Sequence, residues 1–244
     1  MPGAATNFRV VSRASSSALE LGWNSAPEPD IPIQGYFITV RSDGEHEFKP
    51  IWDGGFAKTA TSASLTALTP GFLYHFRLYS RIFNGNSTVF ASLSTNACSA
   101  PSGLAKPALS LISRASVTVS WGEASSGDCP ISSYSAWRDD GLGGAYVEIN
   151  SASFTNKAHL RSAILTEFES AMVGRAINLF IRANNTVAST DSPIISFTLA
   201  DVPGAPTDTP NVVSISDKSG GAMSISVGYA SPAPDDGGSP ITGY

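Results

Sequence analysis

The chain has 244 residues, a formal net charge of −5 and an isoelectric point near 5.1. Charged side chains make up only 14% of it, against roughly a quarter in most soluble proteins, and Ser and Thr supply much of the polar surface instead. No basic cluster offers phosphates a footprint, which argues against a nucleic-acid partner. No apolar run approaches the roughly 18 residues of a membrane-spanning helix, which argues against membrane insertion of this segment.

Met1-Pro2-Gly3-Ala4 has neither the basic start nor the apolar stretch of a signal peptide. Met1 aligns with Ala100 and Val202, the residues before Pro101 and Pro203. The sequence therefore reads as a segment of a longer polypeptide whose targeting signals lie elsewhere. An apolar strand over residues 8–11 leads into Ser12-Arg13-Ala14-Ser15. The next strand alternates, with Leu19, Leu21 and Trp23 on one face, the pattern of a half-buried strand. A polar, Pro-containing loop leads to Pro32-Ile33-Gln34-Gly35-Tyr36, and Tyr36, Ile38 and Val40 continue the alternation. Asp43-Gly44 is a hairpin signal. Leu68-Thr69-Pro70-Gly71-Phe72-Leu73-Tyr74 then precedes an alternating Phe76, Leu78 and Ser80.

The same order returns twice. Pro130-Ile131-Ser132-Ser133-Tyr134 and Pro240-Ile241-Thr242-Gly243-Tyr244 repeat the third-strand motif. Trp121 precedes the second copy as Trp23 precedes the first, and Tyr229 takes that role before the third. Ser113-Arg114-Ala115-Ser116 follows a strand over residues 109–112. Val117, Val119 and Trp121 alternate, as do Met223, Ile225, Val227 and Tyr229, and Asp140-Gly141 repeats the hairpin signal. A period near a hundred residues is the size of a whole small domain. The expected units are 1–99, 100–201 and 202–244, all-β throughout. The one weak helical signal, over residues 164–172, predicts a short helical turn.

A tryptophan on the second strand, a Pro-Ile-x-x-Tyr third strand and Leu-x-Pro-x-x-x-Tyr before a later alternating strand together resemble the fibronectin type III domain. The resemblance spans the chain in three copies and implies tandem immunoglobulin-like β-sandwiches, two complete and one partial. It implies core anchors at Trp23, Trp121, Tyr229, Tyr36, Tyr134 and Tyr74. Tyr74 falls at the tyrosine corner, whose hydroxyl bonds back to nearby backbone. The second copy has no tyrosine over residues 165–177, so its corner must be held differently. The third stops inside its third strand, and its apolar face is expected to be covered. Either the chain continues or strands of another copy complete it, which would link copies head to tail.

No catalytic constellation is present. His46, His75 and His159 have no partner at metal-ligand spacing and read as surface residues. Asp139-Asp140 and Asp235-Asp236 each precede Gly, which favours turn chemistry over a calcium site between repeats. No nucleophile elbow, phosphate loop, Cys–His pairing or Arg-Gly-Asp occurs. No cofactor is expected, and an enzyme is not.

In the fibronectin type III arrangement, the incoming chain and the loop before the third strand share one pole. That implies a Cys98–Cys129 disulfide, with two unpaired buried thiols as the alternative. The closed loop would stabilise by about 3–4 kcal/mol in the chain-entropy view. Asn86-Ser87-Thr88 and Asn184-Asn185-Thr186 are glycosylation sequons at similar places in two repeats. With the disulfide they point to a secreted or cell-surface glycoprotein. The leading reading is a non-catalytic extracellular structural or adhesive segment, acting as spacer, surface coat or filament. Its partners would be neighbouring repeats or copies of itself, and covalent glycans. The alternative is a binding or spacer module of a larger secreted enzyme or receptor; an intracellular scaffold would require reduced cysteines and bare Asn86 and Asn184.

Overall fold

A computed structural model describes residues 3–27, 32–155, 157–205, 209–218, 222–228 and 236–241. The first unit has seven strands: β1 (Thr6–Ser15), β2 (Ala18–Asn24), β3 (Gly35–Ser42), β4 (Lys49–Asp53), β5 (Ser62–Leu65), β6 (Leu73–Ile82) and β7 (Gly85–Asn96). They form two antiparallel sheets, ordered β1-β2-β5 and β4-β3-β6-β7. Period-two alternation drives this layering, because each strand has one apolar row to bury. Leu19, Leu21 and Trp23 from one sheet meet Tyr36, Ile38, Phe76 and Leu78 from the other in a single core.

The second unit repeats the plan with β8 (Ala108–Ser110), β9 (Val117–Ser120), β10 (Ser133–Arg138), β11 (Val147–Ile149), β12 (Ser162–Leu165), β13 (Ala176–Asn184), β14 (Ser189–Asp191) and β15 (Ile195–Thr198). Its sheets are β12-β9-β8 and β11-β10-β13-β14, with β15 also on β13. The last strand is split because Pro193 has no N–H to give the ladder. Ser192 bridges the gap: its N–H donates to Ile181 O at 2.8 Å, and its Oγ accepts from the Ile181 N–H at 3.0 Å. The chain is thus all-β, built of immunoglobulin-like sandwiches.

Trp23 and Trp121 are buried, 2% and 6% exposed. Trp23 packs on Phe8, Tyr36 and Trp52 at ring distances of 5.4–6.4 Å. Trp121 packs on Tyr134 at 5.7 Å and on Phe154 at 5.8 Å. Phe154 ends a single helical turn, α1 (Ser151–Phe154), which takes the place that Trp52 of β4 holds in the first unit. That turn lies outside the window the sequence pointed to; within residues 164–172, after the end of β12, the expected short helical turn is the 3₁₀ turn at Ser170–Met172. β8 also stops short of the expected span: Leu111 has a φ of 48° and Ile112 is exposed.

Tyr36 and Tyr134 are each 1% exposed, and both use their hydroxyls alike. The Ala26 N–H donates to Tyr36 Oη at 3.1 Å, and the Ala124 N–H to Tyr134 Oη at 3.2 Å. Each tyrosine thereby ties down the loop that follows the tryptophan strand. Tyr74 is half-buried, and its hydroxyl accepts from the Thr69 N–H at 2.9 Å, five residues back. In the second unit the position two before Leu179, matching Tyr74 before Phe76, is the fully buried Ile177. The corner there is held by buried Met172 and by Arg138, which donates through Nε and Nη2 to Glu167 O at 3.2 and 2.9 Å.

β16 (Asn211–Lys218) and β17 (Ala222–Gly228) form an antiparallel hairpin. Within this chain Met223, Ile225 and Val227 are 67, 59 and 52% exposed. The physical reason is that no second sheet lies over the hairpin among the described residues. Tyr229 and Tyr244 lie outside those residues.

Candidate functional site

The residues with candidate chemistry separate widely. His46 and His159 are exposed. His75 is half-buried on β6, its Nδ1 2.8 Å from Ser94 Oγ and its Nε2 3.7 Å from Asp43. Among the described residues, no group of three or more His, Cys, Asp or Glu is placed to hold a metal ion.

The acidic pair at 139–140 divides into two roles. Asp140 is at the surface, and its Oδ1 accepts from the Leu142 and Gly144 N–H groups at 2.9 and 3.1 Å. These amides hold its carboxyl below the usual range. Asp139 is not a surface turn residue; it is 3% exposed. Its carboxylate accepts from Asn178 N at 2.9 Å, Asn178 Nδ2 at 2.7 Å and Gly141 N at 3.1 Å. It staples the β10–β11 loop to β13. That loop runs over residues 139–146, longer than the two-residue turn an Asp-Gly pair suggests. Asp236 Oδ1 accepts from the Gly238 N–H at 2.8 Å, and Asp235 lies outside the described residues.

The densest non-repeating chemistry sits where the first sandwich meets the second. Cys98 and Cys129 form a disulfide with an S–S distance of 2.08 Å, and both are fully buried. It joins the segment leaving β7 to the loop ahead of β10. Beside it the Ser99 N–H donates to Gly127 O at 2.9 Å. Asn185, 8% exposed, reaches from the loop after β13. Its Nδ2 donates to Ser99 O at 2.8 Å and Ser126 O at 2.9 Å, while its Oδ1 accepts from the Val187 and Ala188 N–H groups, both at 3.0 Å. One side chain therefore uses four hydrogen-bonding sites to fasten linker, loop and strand end. From the other side Arg13 donates through Nη1 to Asn96 O at 2.7 Å and Cys98 O at 3.1 Å, and through Nη2 to Thr95 Oγ1 at 2.5 Å. Burial lowers the pKa of this guanidinium. A cleft of about 380 Å³ remains between Val10, Arg13, Ala100 and Val187.

Arg13 and Asn185 were not singled out from sequence as functional residues. The sequence signal for Arg13 is the repeated Ser-Arg-Ala-Ser; Asn185 carries no signal beyond its place inside a sequon. Of the sequon asparagines, Asn86 is exposed at the start of β7, and Asn184 is half-buried at the end of β13, where its Nδ2 donates to Ser133 Oγ at 3.2 Å.

A second feature lies on the outer faces of the four-stranded sheets. The Arg77 guanidinium sits 3.8 Å from the Phe48 ring centroid and 4.5 Å from that of Phe90. In the second sandwich Arg182 lies 4.5 Å over Trp137 and 5.5 Å over Phe180, and it pairs with Asp191 at 2.6 and 2.9 Å. Such cation–π contacts are worth about 0.5–1 kcal/mol each at exposed sites.

No curated protein matches the chain. Among solved structures, it is similar to a two fibronectin type III domain segment from chicken tenascin, at 18% identity and a TM-score of 0.36, covering 79% of this chain and 97% of that one. It is similar to the FN1–FN3 domains of chicken CNTN1 at 18% identity and a TM-score of 0.35, covering 96% of this chain and 77% of that one. Residues 3–95 match the family profile described as the Fibronectin type III domain. The buried tryptophan, the tyrosine corner and the seven-strand order are all in place over that span, so the first sandwich has the pattern of a fibronectin type III domain.

Proposed function

We propose that the chain is a non-catalytic extracellular structural or adhesive segment, in which tandem sandwiches act as a spacer, surface coat or filament. The observation that carries this reading is the Cys98–Cys129 disulfide at the junction of the two sandwiches. Disulfides persist in oxidising compartments and are rare in the cytosol. This one ties one sandwich to the segment that enters it, which suits a load-bearing or spacing role. Tandem fibronectin type III modules typically serve as spacers and adhesion units. Fold alone does not set function, so the reading stands on the junction chemistry. Asn86 and Asn184 are the glycan sites in this reading, and neighbouring repeats are its partners.

The test is the intact mass of the chain from its own source, with and without reductant and glycosidase. The expected result is a gain of two hydrogens on reduction and loss of glycan mass on digestion. Free thiols together with unmodified Asn86 and Asn184 would overturn the extracellular assignment.

A further inference from the structure

The contacts at the first junction recur at the second, where there is no disulfide. At the first, the Ser99 N–H donates to Gly127 O at 2.9 Å; at the second, the Asp201 N–H donates to Gly237 O at 2.8 Å. Gly127 and Gly237 stand three residues before Pro130 and Pro240, the same place in successive repeats. Both have positive φ, +66° and +78°. A Cβ on Gly127 would lie 2.5 Å from Ser99 O and 2.6 Å from Ala100 O; one on Gly237 would collide with Asp201 O. The close approach of loop and linker therefore requires glycine twice over: for its backbone conformation and for its missing side chain.

The opposite side of each junction is also shared. Gly71 and Gly174 sit three residues before Tyr74 and Ile177, with φ of +84° and +80°. Their N–H groups donate to Ala97 O at 2.7 Å and Leu199 O at 2.9 Å, at the end of each unit's last strand. A Cβ on Gly71 would lie 3.2 Å from Asp128 O, and one on Gly174 2.7 Å from Gly238 O. Asp128 and Gly238 each follow the loop glycine of the next unit. The repeated arginine completes the set. Arg13 holds the outgoing segment through Asn96 O and Cys98 O, and Arg114 Nε donates to Gly237 O at 3.2 Å and lies 3.9 Å from Asp201. At the disulfide position the second junction has Ala200 and Ser239.

We infer that successive units are held by one repeating, non-covalent joint: a corner glycine of one unit packed against the glycine loop of the next, with the segment between them bonded to the loop glycine and held by an arginine of the first unit. The disulfide is an addition to the first joint and not the source of its geometry. Orientation is thus handed from one unit to the next by backbone contact, so the chain is a rod of set shape. This holds whether or not the extracellular reading does.

Residual dipolar couplings on the full chain test it, by comparing the alignment tensors of the first two sandwiches. In the oxidised chain one tensor fits both, and reduction of Cys98–Cys129 leaves it shared. In reduced Gly127→Ala the two tensors separate, with magnitudes differing by about twofold or more. Gly103→Ala is the matched control: Gly103 has a φ of +69° and no neighbour within 4 Å of its Cβ position, so it carries the same backbone strain without a joint contact. Its reduced form keeps one tensor. If Gly127→Ala disturbs the core shifts of the second sandwich, Gly71→Ala probes the other face of the joint with the same expected separation. Tensors that part on reduction alone, or stay shared in both joint variants, would overturn the inference.

Discussion

Replacing Asp139 with Ala removes a carboxylate that is 3% exposed and accepts three hydrogen bonds, two from Asn178 and one from the Gly141 amide. Hydrogen bonds to a charged group contribute about 1.5–3 kcal/mol each. Three would sum to well above 4 kcal/mol, but the charge regains its hydration on unfolding and the bonds share one acceptor group. The part-buried Asn178 N–H, left without its acceptor, adds a desolvation cost toward the lower end of about 1–3 kcal/mol. The expected net loss is about 3–4 kcal/mol, a large fraction of the roughly 5–15 kcal/mol that holds a typical domain together. Asp139→Asn keeps a carbonyl for two of the three donors but turns its amide toward the third, and should lose about half as much. Asp140→Ala, one residue on and at the surface, should lose far less, because water can accept from the Leu142 and Gly144 N–H groups in its place. The assay is urea unfolding, followed by hydrogen exchange at the Asn178 amide so that the second sandwich is read separately from the first. Calcium should leave all of these curves unmoved. An Asp139→Ala midpoint within about 1 kcal/mol of the unmodified chain, or a calcium-dependent shift, would refute the assignment of this carboxylate as a backbone staple.

Removing the disulfide by Cys98→Ser with Cys129→Ser should cost about 3–4 kcal/mol in the second sandwich, from a sequence separation of 31 between the cysteines; a loss below about 1 kcal/mol in denaturant unfolding would contradict it. Trp23→Ala should cost about 3–5 kcal/mol by leaving a cavity against Tyr36 and Trp52, read in the unfolding transition of the first sandwich. Tyr74→Phe should cost about 1 kcal/mol through the lost bond from the Thr69 N–H, while thermal melts of the second sandwich stay unchanged. Glu45 accepts from the Ser42 N–H at 3.0 Å and from Lys49 Nζ at 3.0 Å, which hold its pKa down to about 2. Since the unfolded value is about 4.3, its contribution to the β3–β4 turn is full above that pH and fades as pH falls toward 2; a carboxyl NMR titration with a midpoint near 4 would refute this.

Sequence alone determined the sheet architecture, because strand burial has a period of two and each repeat writes it in large residues. Leu19, Leu21 and Trp23, or Val117, Val119 and Trp121, can bury their common face in only one way. The Pro-Ile-x-x-Tyr strand and the Leu-x-Pro-x-x-x-Tyr corner then fix strand order by resemblance. What tertiary structure decided is whatever depends on a partner far along the chain. Whether Asp139 is a turn residue or a buried staple depends on Asn178, 39 residues away, and on a β13 amide that sequence cannot orient. Arg13 finds its acceptors more than 80 residues on. The helical turn carrying Phe154 is chosen by the space over Trp121 that Trp52 fills in the first unit, and not by local helix propensity, which is weak there. The exposed Met223, Ile225 and Val227 show the same limit in reverse. Alternation says a face is apolar, but only a second layer, supplied by residues distant in sequence or by another chain, can bury it.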